Sequence, residues 1–218
     1  MKNEQIYIYG VVEIQQITPI KKSILAPNIM GPFGYLNFME CYHGIVSMHH
    51  MLLGALNINQ DKINFTEGKG YIEKDWGKSF PRAYVWLQSN HFKNEQTSLM
   101  FSFADIPFLG FYFKGLIANL YLNGKEYRFA TYNFTKVVKE DIRGLSVHYQ
   151  LKKGKYMLDI KATSKTQIDL ASPKNGEMIE RIKEGLSGQI EIMLYRNKQL
   201  IYEDVGHHAG IEIMKKII

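Results

Sequence analysis

The stretch from Gly68 to Pro81, GKGYIEKDWGKSFP, concentrates acidic, aromatic and basic side chains that are compatible with two chemistries. Its Gly-Lys-Ser segment (77–79) resembles the end of a phosphate-binding loop. Its two carboxyl groups, Glu73 and Asp75, could instead supply an acid or a base. In a strand, alternate residues point to the same side, so both carboxyls would share a face with Tyr71.

The phosphate-binding interpretation fails on spacing and context. A P-loop requires a glycine where this chain has Ile72, and a helix directly after the Gly-Lys-Ser segment. Here Phe80 and Pro81 follow, and then a strand-like pattern. Without the N-terminus of a helix, there is no row of free N–H groups to bind a phosphate. We therefore predict no nucleotide site.

The next strand-like run, YVWLQSN (84–90), has a face of mixed character. Alternation places Tyr84, Trp86, Gln88 and Asn90 on one side. Two large aromatic rings beside two neutral amides suit the lumen of a β-barrel that binds an aromatic or prenylated ligand. We predict that this face, together with Glu73 and Asp75, forms a ligand site.

A metal site is not expected from the histidine pattern. The chain has 7 histidines, including the pairs His49-His50 and His207-His208. Neighbouring residues of a regular strand point to opposite faces, so neither pair can chelate one ion. The nucleophile-elbow and zinc-helix motifs are also absent from the sequence. We predict no metal site.

Hairpin signals dominate the rest of the chain and predict an all-β, antiparallel meander. Asn123-Gly124, between two apolar runs at 121–132, is the strongest of them. The other predicted hairpins are 149–163 around Gly154, 190–205 around Asn197, and 55–65. Only 175–186, NGEMIERIKEGL, reads as a short helix, ending at Gly185. A meander of this length closes into a barrel or folds as a sandwich.

Composition limits the class of partner and the compartment. The net charge of +6 is dispersed over 218 residues, which argues against nucleic-acid binding. The single cysteine, Cys41, rules out internal disulfides and suits a reducing compartment. The sequence shows no signal peptide and no apolar run long enough for a membrane span. We expect a soluble, cytoplasmic protein.

Four segments together resemble the tocopherol cyclase family. GYIEKDWGKSFPRAYVWLQSNHF (70–92) resembles its central signature, and GPFGYLNFMECYHGIVSMHH (31–50) an upstream segment. IANLYLNGKEYRFATY (117–132) and the closing HHAGIEI (207–213) are similar to later strands. The resemblance covers most of the chain from Pro27 onward.

The resemblance implies paired lipocalin-like β-barrels, similar in architecture to carotenoid 1,2-hydratases. It also implies an isomerase or intramolecular lyase that closes a chromanol ring on a prenylated hydroquinone without an organic cofactor. Family members extend further at the N-terminus, so we expect residues 1–66 to be the end of an incomplete first barrel with a connecting loop. Residues 67–218 would form the second barrel. Either the chain is a fragment, or the first barrel is reduced and a partner chain, including a second copy, completes it. Substrate uptake could involve peripheral membrane contact.

Roles for individual residues follow from the chemistry that the resemblance implies. Alkene protonation needs an acid that stays protonated near neutral pH, which burial of a carboxyl provides. Asp75 or Glu73 could be that acid, and Glu40 is a third candidate. The aromatic faces that could stabilise the resulting cation belong to Trp76, Trp86 and Tyr84. The groups that could orient or deprotonate the phenol belong to Gln88, Asn90 and His91.

Simpler interpretations of the same residues remain open at this point. Glu73 and Asp75 could form a salt-bridged turn, Trp76 and Trp86 could fill a core, and His91 could be structural. The protein could then be a lipocalin-like carrier of a hydrophobic molecule, with no titratable group in its lumen. An alkene hydratase, in which water replaces the phenol as nucleophile, is a third option. The direction of the Glu73 and Asp75 side chains discriminates catalyst from carrier.

Overall fold

The computed structural model describes residues 6–214, which form fourteen β-strands and two short 3-10 helices. The strands are β1 (Ile8–Gln15), β2 (Cys41–Ile58), β3 (Asp61–Asn64), β4 (Gly68–Gly77), β5 (Tyr84–Ser89), β6 (Thr97–Phe108), β7 (Phe111–Leu122), β8 (Lys125–Ala130), β9 (Lys136–Arg143), β10 (Ser146–Lys153), β11 (Tyr156–Thr163), β12 (Ile168–Lys174), β13 (Glu177–Arg196) and β14 (Gln199–Met214). The 3-10 helices are Gly31–Tyr35 and Thr131–Asn133.

The strands form two antiparallel sheets, which confirms the predicted all-β class. In the small sheet, β2 pairs with β1, β3 and β4. The large sheet has the order β8-β7-β6-β5-β14-β13-β11-β10-β9, with β12 paired to β13. All four predicted hairpins are present, as the pairs β2–β3, β7–β8, β10–β11 and β13–β14.

The large sheet curls around one apolar core. Its enclosed face is filled by side chains such as Leu87, Phe101 and Tyr149, all fully buried. β8, at one end of the sheet, approaches strands near the other end: its Tyr127 ring packs on Tyr156 of β11 with centroids 5.4 Å apart, and Lys153 of β10 donates to the carbonyl of Arg128 in β8 at 2.9 Å. No hydrogen-bonded ladder closes this sheet within residues 6–214. The result is an open, barrel-like sheet rather than the closed barrel expected.

The predicted helix at 175–186 is wrong. Asn175-Gly176 forms the turn between β12 and β13, and the following residues pair with both β12 and β14. Asn-Gly is itself a strong hairpin signal, because both turn residues adopt positive φ at low cost. Here φ is +53° at Asn175 and +89° at Gly176. Pairing on both sides overrides the weak helical preference of this segment.

The two sheets pack against each other through the outer face of the large sheet. The buried contact joins Ile45 and Met48 of β2 to Met100 of β6, with Trp86 and Tyr71 packed against them. The Trp86 face of β5 therefore looks toward the small sheet and not into the lumen, where we had expected it. The lumen is occupied by the opposite face of β5, including Val85 and Leu87.

The strand pairing around residue 67 concerns the expected division of the chain into 1–66 and 67–218, but it does not test that division. β4, which lies after residue 67, pairs with β2 of the small sheet. The hydrogen-bonded sheets change between Gly77 and Tyr84. The division at residue 67 stays a prediction, and its outer limits, 1–5 and 215–218, lie outside the described residues. Among residues 6–214, no helix is long and apolar enough to cross a membrane.

Candidate active site between the two sheets

A cavity of about 130 Å³ lies between the two sheets. Its floor comes from β5, β6, β7 and β14 of the large sheet, and one wall from β2 and β4. Phe33 of the first 3-10 helix covers it and stacks on Phe113, with ring centroids 5.6 Å apart. The aromatic lining residues are Phe33, Tyr42, Phe80, Tyr84, Trp86, Phe113 and Tyr132. The ionisable lining residues include His43, Glu73, Asp75 and Glu212.

In the described part of the chain, three donor atoms of cavity-lining residues are buried without a hydrogen-bond partner: the indole Nε1 of Trp86, the hydroxyl of Tyr132 and the Nε2 of His43. The His43 Nε2 has an ion-pair contact with Glu73 instead, so Trp86 and Tyr132 are the donors left for a ligand. A buried, unpaired N–H or O–H group costs free energy, so such groups in a cavity favour a ligand that accepts hydrogen bonds. The cavity is therefore suited to an apolar ligand that carries at least one polar oxygen.

An ion-pair triad occupies the small-sheet wall of the cavity. His43 of β2 and Asp75 of β4 are register partners, which brings Nδ1 to 2.5 Å from Asp75 Oδ1. His43 Nε2 lies 3.1 Å from Glu73 Oε2. Burial of the ring lowers the pKa of His43, but its contacts with Asp75 and Glu73 outweigh burial and raise that pKa to about 10. The ring is therefore an imidazolium between two carboxylates at neutral pH.

Tyr71 supports this triad from β4. Its hydroxyl donates a hydrogen bond to Glu73 Oε2. Burial raises the pKa of Tyr71 well above its ordinary value, and the Glu73 charge adds to the effect. The tyrosine thus stays a neutral donor and holds one Glu73 oxygen in place beside His43. Glu73 and Asp75 both point into the cavity, with side chains 16% and 29% exposed.

The large-sheet floor contributes a single carboxyl of a different kind, that of Glu212 in β14. The Tyr84 hydroxyl donates to Glu212 Oε2 at 2.6 Å. Burial raises the pKa of Glu212, the Tyr84 hydrogen bond lowers it, and the charges of Glu184, Asp75 and Glu73 raise it again, to about 7. Glu184 is the register partner of Glu212 on β13, and Trp86 is its partner on β5.

The cavity therefore holds two sets of ionisable groups, and their surroundings affect protonation differently. His43 is protonated at neutral pH, whereas Glu212 exchanges a proton near pH 7. Sites of acid–base catalysis typically hold neighbouring ionisable groups whose surroundings give them different pKa values. Cys41 also lines the cavity, but burial, with the Asp75 charge adding, raises the pKa of its thiol to about 12. It is therefore not a thiolate nucleophile.

Four of the residues predicted as site residues line this cavity, and they come from both sheets. Glu73 and Asp75 lie on the β2–β4 wall, whereas Tyr84 and Trp86 lie on the β5 floor. Tyr71 is not among the lining residues, but its hydroxyl donates a hydrogen bond to Glu73, which is.

Two other predicted residues lie on the outside of the same wall. Trp76 is 43% exposed and stacks on Tyr42, with ring centroids 5.4 Å apart. The ammonium group of Lys74 lies 4.9 Å from the centroid of its ring. Glu40 is exposed, and its carbonyl accepts hydrogen bonds from the backbone of Lys78 and Ser79. Neither residue is among those that line the cavity.

The three remaining predicted residues continue along β5, away from the cavity. Gln88 pairs in register with Met100 and Gly210, further along the strand from Trp86. Asn90 is buried, and its Nδ2 has no partner in the described part of the chain. His91 forms a bridge with His207, and its ring packs edge-on against His208. None of these three residues is among those that line the cavity.

His43 and Glu212 are site residues that sequence reasoning did not single out. A signal existed for each: both fall within segments that carry the family resemblance, CYHG (41–44) and HHAGIEI (207–213). Glu212 is also an isolated carboxyl between Ile211 and Ile213 in an alternating strand. What the sequence does not provide is the pairing that joins Tyr84 to Glu212 across 128 residues.

The triad is also the one group in the described residues whose donors are close enough to hold a cation. One ligand atom each from His43, Glu73 and Asp75 lies within 4.8 Å of the others. Both imidazole nitrogens already face a carboxylate. Coordination would require the imidazolium to lose its proton, which the two carboxylates oppose. The arrangement is satisfied as an ion pair.

The sequence profile described as Tocopherol cyclase-like matches residues 20–214. The chain belongs to this family. Its fold is similar to that of CghA, whose crystal structures without and with Sch210972 give TM-scores of 0.54 and 0.52 at 10% identity. Each match covers 96% of this chain and 62% of CghA, so the chain spans less than two thirds of that protein. Comparison with curated protein sequences gives no significant match.

Proposed function

We propose that this chain cyclises a prenylated phenol or hydroquinone by protonating the alkene of the side chain, with Glu212 as the proton donor. The observation that carries the proposal is a buried carboxyl, of pKa about 7, in a cavity walled by aromatic rings. A carboxyl of ordinary pKa would be ionised at neutral pH and could not donate. Membership of the tocopherol cyclase-like family supports the same reaction class.

The proposed reaction transfers the Glu212 proton to the less substituted alkene carbon, which leaves a tertiary cation. Trp86 lies beside Glu212 as its register partner and lines the same cavity. An aromatic face stabilises a cation by about 0.5–2 kcal/mol, more when water is excluded. This assigns to Trp86 the cation-stabilising role that the sequence suggested for it.

Ring closure follows when the phenol oxygen forms a bond to the cationic carbon. The phenol proton then needs an acceptor, and Asp75 is the carboxylate of the triad with the larger exposure. One proton has left Glu212 and one has reached Asp75, so transfer through solvent restores the starting state. The unpaired donors Trp86 Nε1 and Tyr132 Oη are available to bind oxygen atoms of the ring.

His43 has a positioning role in this proposal. As an imidazolium it cannot act as the base, but it fixes the directions of Asp75 and Glu73. It also offsets part of their negative charge, which would otherwise raise the pKa of Glu212 further. His91 is too far along β5 for the role of base that the sequence suggested, so Asp75 takes that role here.

The test is incubation of the purified protein with 2,3-dimethyl-6-phytyl-1,4-hydroquinone, followed by detection of the chromanol. We expect product from the wild type and a loss of at least about a hundredfold in kcat for Glu212→Gln. Glu203→Gln is the matched control, because Glu203 is an exposed glutamate of the same strand. It should cyclise at the wild-type rate.

Three other outcomes would overturn the proposal. Ligand binding with no chromanol from the wild type would favour the carrier function. A hydrated side chain would favour an alkene hydratase. Full activity of Glu212→Gln would remove Glu212 from the reaction.

A further inference from the structure

The β6–β7 hairpin ends in an exposed apolar surface. Leu109, Phe111 and Tyr112 are 76%, 54% and 48% exposed. Phe38, from the segment that covers the cavity, is 52% exposed and packs on Phe108 with centroids 5.7 Å apart. We call these five residues the apolar tip. Contiguous exposed apolar residues of this kind mark a surface that contacts another apolar phase.

The turn residue Leu109 is unfavourable for the fold itself. Its φ is +48°, in the left-handed region that disfavours branched side chains. The corresponding turn residues of four other hairpins are asparagines with φ between +48° and +55°: Asn59, Asn123, Asn175 and Asn197. Asparagine is the residue that this conformation prefers. A leucine that contacts little of the protein and strains its own turn points to a contact outside the chain.

Aromatic rings connect the apolar tip to the cavity. Phe111 packs on Phe108 with centroids 5.7 Å apart, and Phe108 packs on Phe113 at 6.0 Å and on Phe33 at 6.4 Å. Phe33 and Phe113 line the cavity. A continuous line of packed aromatic rings therefore extends from the tip to the cavity.

The charges beside the apolar tip are predominantly positive. The guanidinium of Arg82 lies 3.6 Å from the centroid of the Tyr112 ring. Lys114 is half-exposed, and both cations contact the single carboxylate of Asp105, at 3.3 and 3.0 Å. In this contact two cations meet one acid, which leaves a net positive charge behind the apolar surface. Glu140 of β9 lines the same pocket as Asp105 and Lys114 but lies outside this contact. An apolar surface with positive charge behind it is complementary to a bilayer that contains anionic lipids.

We propose that the apolar tip docks on an anionic lipid surface and that the cavity takes up its ligand from there. Leu109, Phe111 and Phe38 enter the boundary between headgroups and acyl chains, while Arg82 and Lys114 face lipid phosphates. Docking places the aromatic path against the acyl chains, where a prenylated molecule resides. The apolar tip is thus the surface that would make the peripheral membrane contact suggested by the family resemblance.

The test measures co-sedimentation of the full chain with vesicles of equal parts phosphatidylcholine and phosphatidylglycerol. We expect the wild type to bind, with weaker binding in high salt and to vesicles of phosphatidylcholine alone. The double variant Leu109→Asn/Phe111→Thr should bind at least about tenfold more weakly, since two apolar side chains no longer leave water. Its turn gains the preferred asparagine, so it should fold at least as well.

The matched control removes two exposed apolar residues from the opposite end of the large sheet. Leu200→Asn/Ile201→Thr alters residues that are 41% and 43% exposed. The neighbouring Tyr202 contacts Thr97, at the start of β6, whereas the tip lies at its end, roughly 35–40 Å away. This control should bind vesicles as the wild type does.

The proposal is overturned if the wild type does not bind the mixed vesicles, or if the Leu109/Phe111 variant binds equally well. A dimer of the wild type that this variant dissociates, seen by light scattering, would make a second copy the partner instead. Vesicle binding requires no turnover. The result is therefore independent of whether the chain cyclises anything.

Discussion

At the scale of single residues, the chemistry depends on the environment of Glu212. Its carboxyl is buried in an aromatic cavity, accepts one hydrogen bond from Tyr84 and faces Glu184 across the strand pair. Burial and neighbouring negative charge both disfavour its ionised form. The Asp75 and Glu73 carboxyl groups instead contact His43, at 2.5 and 3.1 Å. In the proposed mechanism Glu212 donates a proton and Asp75 accepts one.

The pH dependence of cyclisation tests this assignment. An acid of pKa about 7 must be protonated to donate, so kcat/KM should fall as the pH rises through about 7. The Tyr84 hydrogen bond lowers that pKa. Tyr84→Phe should therefore move the falling limb to higher pH, as measured in a pH–rate profile. A limb that moves to lower pH, or does not move, would contradict the role of Tyr84.

Gly210 positions Trp86 over the cavity floor. A Cβ atom at residue 210 would lie 2.8 Å from the Trp86 ring. Gly210→Ala should displace the indole and lower the free energy of unfolding by about 1–3 kcal/mol. Trp86 fluorescence in a Trp76→Phe background reports the displacement, and chemical denaturation reports the stability. Gly44→Ala, in the chain that keeps Trp76, is the control for stability: its Cβ would lie 3.0 Å from the half-exposed Trp76 ring and 3.7 Å from the Lys74 carbonyl oxygen, and it should cost less.

At the scale of elements, His43 ties β2 to β4 through a pH-dependent ion pair. Its pKa is raised from 6.5 to about 10, so the folded protein binds this proton more tightly than the unfolded chain does. The stabilisation is complete below about pH 6.5 and is lost as the pH rises through about 10.

The corresponding prediction concerns stability between pH 7 and 10. The free energy of unfolding of the wild type should fall across this window, and that of His43→Gln should fall much less. Denaturation at several pH values measures both. The raised pKa of Glu212 acts in the same direction but between about pH 4.5 and 7, so it does not produce this slope. Equal slopes for the two proteins would show that the triad is not ionised as described.

The turn at Leu109 offers a further test at this scale. Replacing Leu109 by asparagine relieves a left-handed conformation that disfavours leucine, so Leu109→Asn should raise the free energy of unfolding by up to about 1 kcal/mol. Thermal denaturation measures the change. Asn197→Leu is the reciprocal control, because it places leucine in an equivalent turn, and it should be destabilising by a similar amount. A destabilised Leu109→Asn would mean that the leucine serves the fold.

Local signals predicted the strands well and the site only in part. The Asn123-Gly124 hairpin follows from its turn residues. The shared face of Glu73 and Asp75 follows from two-residue periodicity, which the backbone imposes wherever a strand forms. The prediction of a helix at 175–186 was wrong, because the Asn175-Gly176 turn signal outweighs the helical pattern that follows it. Glu212 was missed because its role depends on non-local pairing with Trp86. Which face of β5 is enclosed also depends on how the sheet curls.

At the scale of the molecule, the site exists only where the two sheets meet. The small sheet supplies the charged triad, and the large sheet supplies Glu212, Tyr84 and Trp86. The Trp86 face of β5 was expected in a barrel lumen, but the lumen of the large sheet is filled by its own core. The cavity instead lies outside the large sheet, with the apolar tip connected to it by aromatic rings.

The most direct test of alkene protonation is the reaction of the wild type in D₂O with the prenylated hydroquinone. Glu212 exchanges its proton with solvent, so the account predicts one deuterium bound to carbon in each chromanol, next to the new C–O bond. Mass spectrometry and NMR of the product locate it. A chromanol that forms without carbon-bound deuterium would contradict proton donation from Glu212.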